Sequence, residues 1–181
     1  MKPTQILRVV LVGMLVVAGS ARAAPVESKA WWGMIMTDAA NEPAPELARV
    51  TDRAQLPEVV AKLEQSEARA FAIYRAALAR GPQDVRLVAA YHLGAAHLSI
   101  AVRARASIAS VDFTDPEALN HYRSLHRALE PLIAHHVRDA VAAFQTANAI
   151  AEDIPSGTPA DPVVRWIVGA VQELLDTIDV I

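Results

Sequence analysis

Six histidines are the side chains of this sequence best suited to chemistry. His92 and His97 are five apart, as are His121 and His126. In a helix of 3.6 residues per turn that spacing sets the members of a pair about 140° apart, so neither pair chelates an ion alone. Facing helices change the geometry. If the helices carrying the two pairs fold back about a turn at 111–115, residues whose numbers sum to about 226 lie opposite each other. His97 then stands level with His126 and Glu130, and the latter two share a face at four apart. His92 likewise meets His135, with Asp139 one turn on, provided that Pro131 only kinks its helix. Imidazole and carboxylate groups on facing helices are how bundles build metal sites, so His97, His126 and Glu130 form the candidate ligand set. Against that reading, these residues flank the apolar stripes of their helices, and the chain contains no Glu-x-x-His pair. The expectation is therefore that the histidines are solvated or hydrogen bonded, and that the protein holds neither metal nor cofactor.

Other chemistries close more firmly. The chain has no cysteine, which excludes disulfides, thiolate zinc and iron–sulfur sites, covalently attached c-type haem and a cysteine nucleophile. It carries no nucleophile elbow, phosphate loop, dinucleotide fingerprint or His-Glu-x-x-His motif, and no enzyme activity is expected. Met34 and Met36 offer thioethers of the kind that bind copper, but no histidine neighbours them.

The N-terminus reads as an address. Lys2 and Arg8 give a positive start, Val9 to Ala18 a ten-residue apolar core, and Ala21-Arg22-Ala23 the small residues of a cleavage point. That core is half of the roughly 20 residues that a helical membrane span needs, so a cleaved secretory signal peptide over 1–23 is the reading, with no stable membrane anchor afterwards. The protein is then periplasmic or secreted. Cleavage removes Lys2, Arg8 and Arg22 and no acidic residue, which takes the net charge from −3 to −6. An acidic domain disfavours nucleic acid as a partner, because phosphate backbones demand clustered positive charge.

Residues 24–44 read as a flexible tether, interrupted by the apolar knot Trp31-Trp32-Gly33-Met34-Ile35-Met36. The two tryptophans either plug a gap on the body of the protein or dock a partner. The domain proper covers 45–181. The whole chain is 53% hydrophobic, enough to bury a core, and the apolar positions of the domain recur at three and four, so it is all-α. The periodicity predicts a short helix over 45–54 and a second from Pro57 to Arg80, with Val60, Leu63, Ala70, Tyr74 and Ala77 on one face and Gly81-Pro82 as its stop. A third, capped by Asp84, covers about 85–110 with Val88, Tyr91, Ala95, Leu98 and Val102 as its stripe. Asp115-Pro116 starts a fourth, which Pro131 kinks or breaks before Ile133, Val137, Ala140, Phe144 and Ala147 continue the pattern. Turn residues fill 153–160. Asp161 and Pro162 open a last helix bearing Val164, Ile167, Val171, Leu174 and Ile178. Short connections make consecutive helices antiparallel hairpins. Gly94 in mid-helix costs about 1 kcal/mol against alanine, so a neighbour is expected to cross there.

Ala70, Tyr74, Ala77 and Pro82 resemble the second helix and terminal proline of a tetratricopeptide repeat. Leu93-Gly94 followed by His97 is similar to the first helix of the next repeat, and Ala140, Phe144 and Ala147 give a fainter echo. The pattern departs from the family at Ala90 and His97, where larger aromatics are usual, and in the length of the third helix. The resemblance implies stacked helix pairs that bind a protein or peptide partner. The fold class is thus all-α, either tetratricopeptide-like or an irregular helical bundle. The function expected is an exported binding or scaffold module, and the alternative is a small periplasmic metal- or ligand-binding bundle. Val163, Trp166 and Val168 lie outside the main stripe of the last helix, which could serve self-association.

Overall fold

A computed structural model describes residues 26–35, 45–154, 165–171 and 173. Every regular element among them is helical. They are α1 (Val26–Gly33), α2 (Leu56–Arg80), α3 (Gln83–Ser107), α4 (Pro116–Glu152) and a helical segment over 165–171. Residues 1–25 lie outside the described residues, as do 36–44, Asp161, Pro162, Val163, Val164, Leu174 and Ile178. The expected signal peptide, most of the expected tether and the expected start of the last helix therefore fall outside the described residues.

The boundaries follow from local chemistry. Pro57 sits in the first turn of α2, where its missing N–H costs nothing, and Gly81 closes that helix by donating its N–H to the Ala77 carbonyl at 2.8 Å. A Cβ on Gly81 would lie 2.6 Å from that same carbonyl oxygen, so the tight connection into α3 excludes a side chain. α4 begins as expected, with the Asp115 side chain accepting from the Glu117 N–H at 2.9 Å and Pro116 in the first turn.

Three local expectations are corrected. Residues 45–54 do not form an α-helix. The Val50 N–H donates to the Ser107 carbonyl (2.8 Å) and the Ala109 N–H to the Val50 carbonyl (3.0 Å), a parallel bridge that holds the segment extended. Asp52 then takes the extended backbone of an N-cap and forms a capping box with Gln55 ahead of the short 3₁₀ turn Arg53–Gln55. Second, Asp84 does not cap α3. The helix starts at Gln83, so Asp84 is already inside its first turn, where its charge complements the helix dipole. Third, Pro131 does not break α4, which runs unbroken for 37 residues. Pro131 is on the exposed side of the helix, so the Arg127 carbonyl that it leaves without an N–H can be met by water.

α3 is the central helix. Contacts with α2 descend through Phe71–His97, Tyr74–His92 and Leu78–Arg86, and those with α4 through Gly94–Phe144, His97–His136 and Arg105–Glu130, so both neighbours run antiparallel to it. Packed on two sides, it buries fifteen of its 25 residues. By length and composition it could cross a membrane, yet 78% of its apolar stretch is covered inside the protein. The core falls into two clusters along the bundle. One gathers Tyr74, Leu87, Tyr91, Phe144, Trp32, Ile35 and Ile167; the other gathers Val50, Leu56, Leu63, Ile100, Leu129 and Ile133. Trp32 and Ile35 are thus part of the core, Trp31 and Trp166 pack against it, and Val168 is partly exposed.

Candidate metal centre

Between the two apolar clusters lies a polar layer. Glu64 on α2 follows Leu63 of one cluster, His97 on α3 precedes Leu98 of the other, and His136 on α4 falls between Ile133 and Ala140. His97 and His136 are buried in it at 4% and 2% exposure.

Their atoms meet. Glu64 Oε1 accepts from His136 Nε2 at 3.1 Å and lies 3.3 Å from His135 Nε2. His136 Nδ1 stands 3.0 Å from His97 Nδ1, and His97 Nε2 is 4.0 Å from Asp139 Oδ2. The His97 ring stacks on Phe71 with centroids 4.4 Å apart, which fixes its plane. Burial holds the pKa of His97 down to about 4, with the Asp139 carboxylate opposing that shift, so the ring is neutral at pH 7. Burial also lowers the pKa of His136, aided by His135 and opposed by Glu64. Both imidazoles therefore keep a lone pair available, the state in which histidine ligates metal.

Glu64 Oε1, His135 Nε2 and His136 Nε2 form a group in which all ligand atoms lie within 4.8 Å of one another. A tetrahedral zinc ion with nitrogen and oxygen ligands at about 2.0–2.2 Å holds them about 3.3 Å apart. The two distances from Glu64, 3.1 and 3.3 Å, match that spacing. The side chains of Glu64 and His135 are 43% and 45% exposed while His136 is 3%, so the group is open to solvent on one side. An ion can enter there, and its fourth position would face water.

The candidate ligand set read from the sequence is not the one that assembles. His97 meets His136 instead of His126. Glu130 is held by Arg105, whose Nη2 donates to both carboxylate oxygens at 3.1 Å. His126 packs its ring on Tyr122, with centroids 4.4 Å apart, and its buried Nε2 has no hydrogen-bond partner. Burial lowers its pKa, with Arg105 adding to the shift. His92 does not meet His135; its ring lies among Tyr74 and Tyr91, 5.6 and 5.5 Å away. His121 Nε2 donates to the Thr51 carbonyl at 2.8 Å. Nor do the histidines all flank the core: His92, His97 and His136 are inside it, the first two because positions beside one stripe of α3 face its second neighbour.

The cause is register. Residues facing across α3 and α4 have numbers that sum to 233–238, not 226. After Ser107 the chain stays extended at Ile108 and pairs with Val50, so α4 starts beyond the end of α3. About three turns of α4 overhang onto the 45–55 segment, where His121 reaches Thr51. Glu64 and His136 escaped sequence reasoning; the adjacent His135-His136 pair was the signal available.

No protein-family model, no curated protein and no solved structure matches this chain.

Proposed function

We propose that the protein is a metal-binding helical module whose site for a divalent transition ion is Glu64, His135 and His136. The observation that carries the reading is the convergence of those three side chains from two helices, with their ligand atoms within 4.8 Å of one another and Glu64 at 3.1 and 3.3 Å from the two histidines. Two imidazoles and a carboxylate, with no thiolate in the chain, suit zinc, copper(II), nickel or iron(II). Asp139 adds a second negative charge near the site, which helps to balance a dication. The helical pairs form a bundle on this reading, and α3 at its centre ties the inner ligand to both neighbours. Under the signal-peptide reading of residues 1–23 the module works in the periplasm or outside the cell. Among the described residues the partner-binding scaffold implied by the tetratricopeptide resemblance has no comparable group of side chains in its support, since Trp32 is buried in the core.

Thermal unfolding tests the proposal. Zinc at a hundredfold excess over its dissociation constant is expected to stabilise the full chain by about 2.7 kcal/mol. Glu64→Ala and His135→Ala remove ligands that are nearly half exposed, so both variants fold, and both should lose the gain. His126→Ala should keep it. Equal melting with and without zinc, or a gain that survives Glu64→Ala, overturns the reading.

A further inference from the structure

The ligand group leaves unexplained what lies behind it: a buried histidine in contact with the inner ligand, and a carboxylate beyond that. We infer that His97 is the positioning residue of the Glu64–His135–His136 site, backed by Asp139, an inference that rests on the metal-binding reading.

His136 can present its Nε2 lone pair to a cation only as the tautomer that carries its proton on Nδ1. That N–H is buried and needs an acceptor, and His97 Nδ1 stands 3.0 Å from it. When His97 Nδ1 accepts, the proton of the His97 ring is on Nε2, facing the Asp139 carboxylate. Without a cation, the order is reversed. Glu64 accepts from His136 Nε2–H, His136 Nδ1 accepts from His97 Nδ1–H, and a lone pair on His97 Nε2 faces Asp139. The two arrangements hold the same number of protons. His136 exchanges a proton on Nε2 for one on Nδ1, and His97 exchanges one on Nδ1 for one on Nε2, through solvent on the open side. The negative charge of Asp139 repels the lone pair and attracts the N–H, so it favours the arrangement that frees His136 for an ion. Phe71, stacked on His97, keeps the ring in the plane that this requires. Hydrogen bonds of this kind behind a ligating histidine orient the ring and strengthen it as a donor.

Zinc affinity, measured on the full chain by competition with a chromophoric chelator, tests the inference beside denaturant midpoints of the zinc-free protein. His97→Leu takes away the buried partner of His136 Nδ1, so it should lower the zinc-free midpoint modestly while weakening zinc binding 10–100-fold. His97→Asn restores an acceptor near the position of Nδ1 and should recover most of the affinity. Asp139→Asn, an exposed position on α4, should weaken binding without moving the midpoint. If wild-type protein fails to bind one equivalent of zinc, the metal-binding reading itself falls. If wild type binds and His97→Leu binds equally well, His97 has no part in the site. Loss of affinity in His97→Leu with no recovery in His97→Asn makes His97 a packing residue and overturns the inference.

Discussion

Gly94→Leu is expected to abolish the native fold or to lower its denaturation midpoint more than any other single change on α3. A Cβ at Gly94 would lie 2.7–2.9 Å from three carbons of the Phe144 ring, closer than side-chain carbons pack. That ring is fully buried in the main cluster and touches Tyr91, so it has nowhere to move. Overpacking of this kind costs about 1–3 kcal/mol for modest intrusions, and three further carbons must be placed in the same space. Gly94→Ala should already be destabilising. Pairing it with Phe144→Leu should recover part of the loss, because the smaller side chain vacates the space that the methyl needs. Chemical denaturation reads all three variants. A midpoint unchanged in Gly94→Leu would contradict the close crossing of α3 and α4.

Acid is the second large lever. His92 is wholly buried, its Nε2 has no hydrogen-bond partner, and burial holds its pKa down to about 4 from an ordinary 6.5. The groups around it are aromatic: Tyr74 and Tyr91 meet its ring, and burial keeps both phenols protonated, with Tyr91 pushed up to about 12. The unfolded chain takes up a proton at His92 below about pH 6.5, whereas the folded chain does so only near pH 4. Stability from this residue is therefore complete above pH 6.5 and is lost as the pH falls towards 4. The slope is about 1.4 kcal/mol per pH unit, and the total about 3 kcal/mol. His97, held down in the same direction, steepens the fall. Denaturant midpoints followed from pH 7 to pH 4 should drop sharply in the wild type, and His92→Phe should flatten the curve by one proton's worth. Parallel curves for the two proteins would place His92 in contact with water.

Much of this helical body could be read from residue types. The stripes of α2 and α4 are one-sided, so spacing alone marks Leu63, Tyr74, Leu129 and Phe144 as buried, and they are. The Asp115-Pro116 start of α4 and the Gly81-Pro82 break carry their chemistry within a few residues. α3 was only half legible. Its second buried face is made of Ala89, Ala90, Ala101 and Ala104, small residues that look neutral until a second helix is known to cover them. The extended segment around Val50 depends on Ile108, a partner far along the chain, although Asp52 and Gln55 displayed the spacing of a capping box.

The same distant bridge explains what happened to the candidate site. The chemistry, imidazole with carboxylate across helices, was legible; the members were not, because a fold-back centred on 111–115 ignores how Ile108 leaves α3. An error of about seven to twelve in the facing numbers exchanges His126 and Glu130 for His136 and Asp139 opposite His97. Glu64 was out of reach for a different reason. It arrives from α2, two helices before α4 in the chain, and nothing local to either helix says that they meet.

On this reading one ion takes its ligands from Glu64, His135 and His136. X-ray absorption at the metal edge, on full chain loaded with one equivalent of zinc, tests it most directly. The expected spectrum has a first shell of four nitrogen or oxygen atoms at about 2.0–2.1 Å, with the outer-shell scattering of two imidazoles, and one imidazole fewer in His135→Ala. A shell of six oxygens with no imidazole scattering, or a spectrum unchanged in His135→Ala, would contradict it.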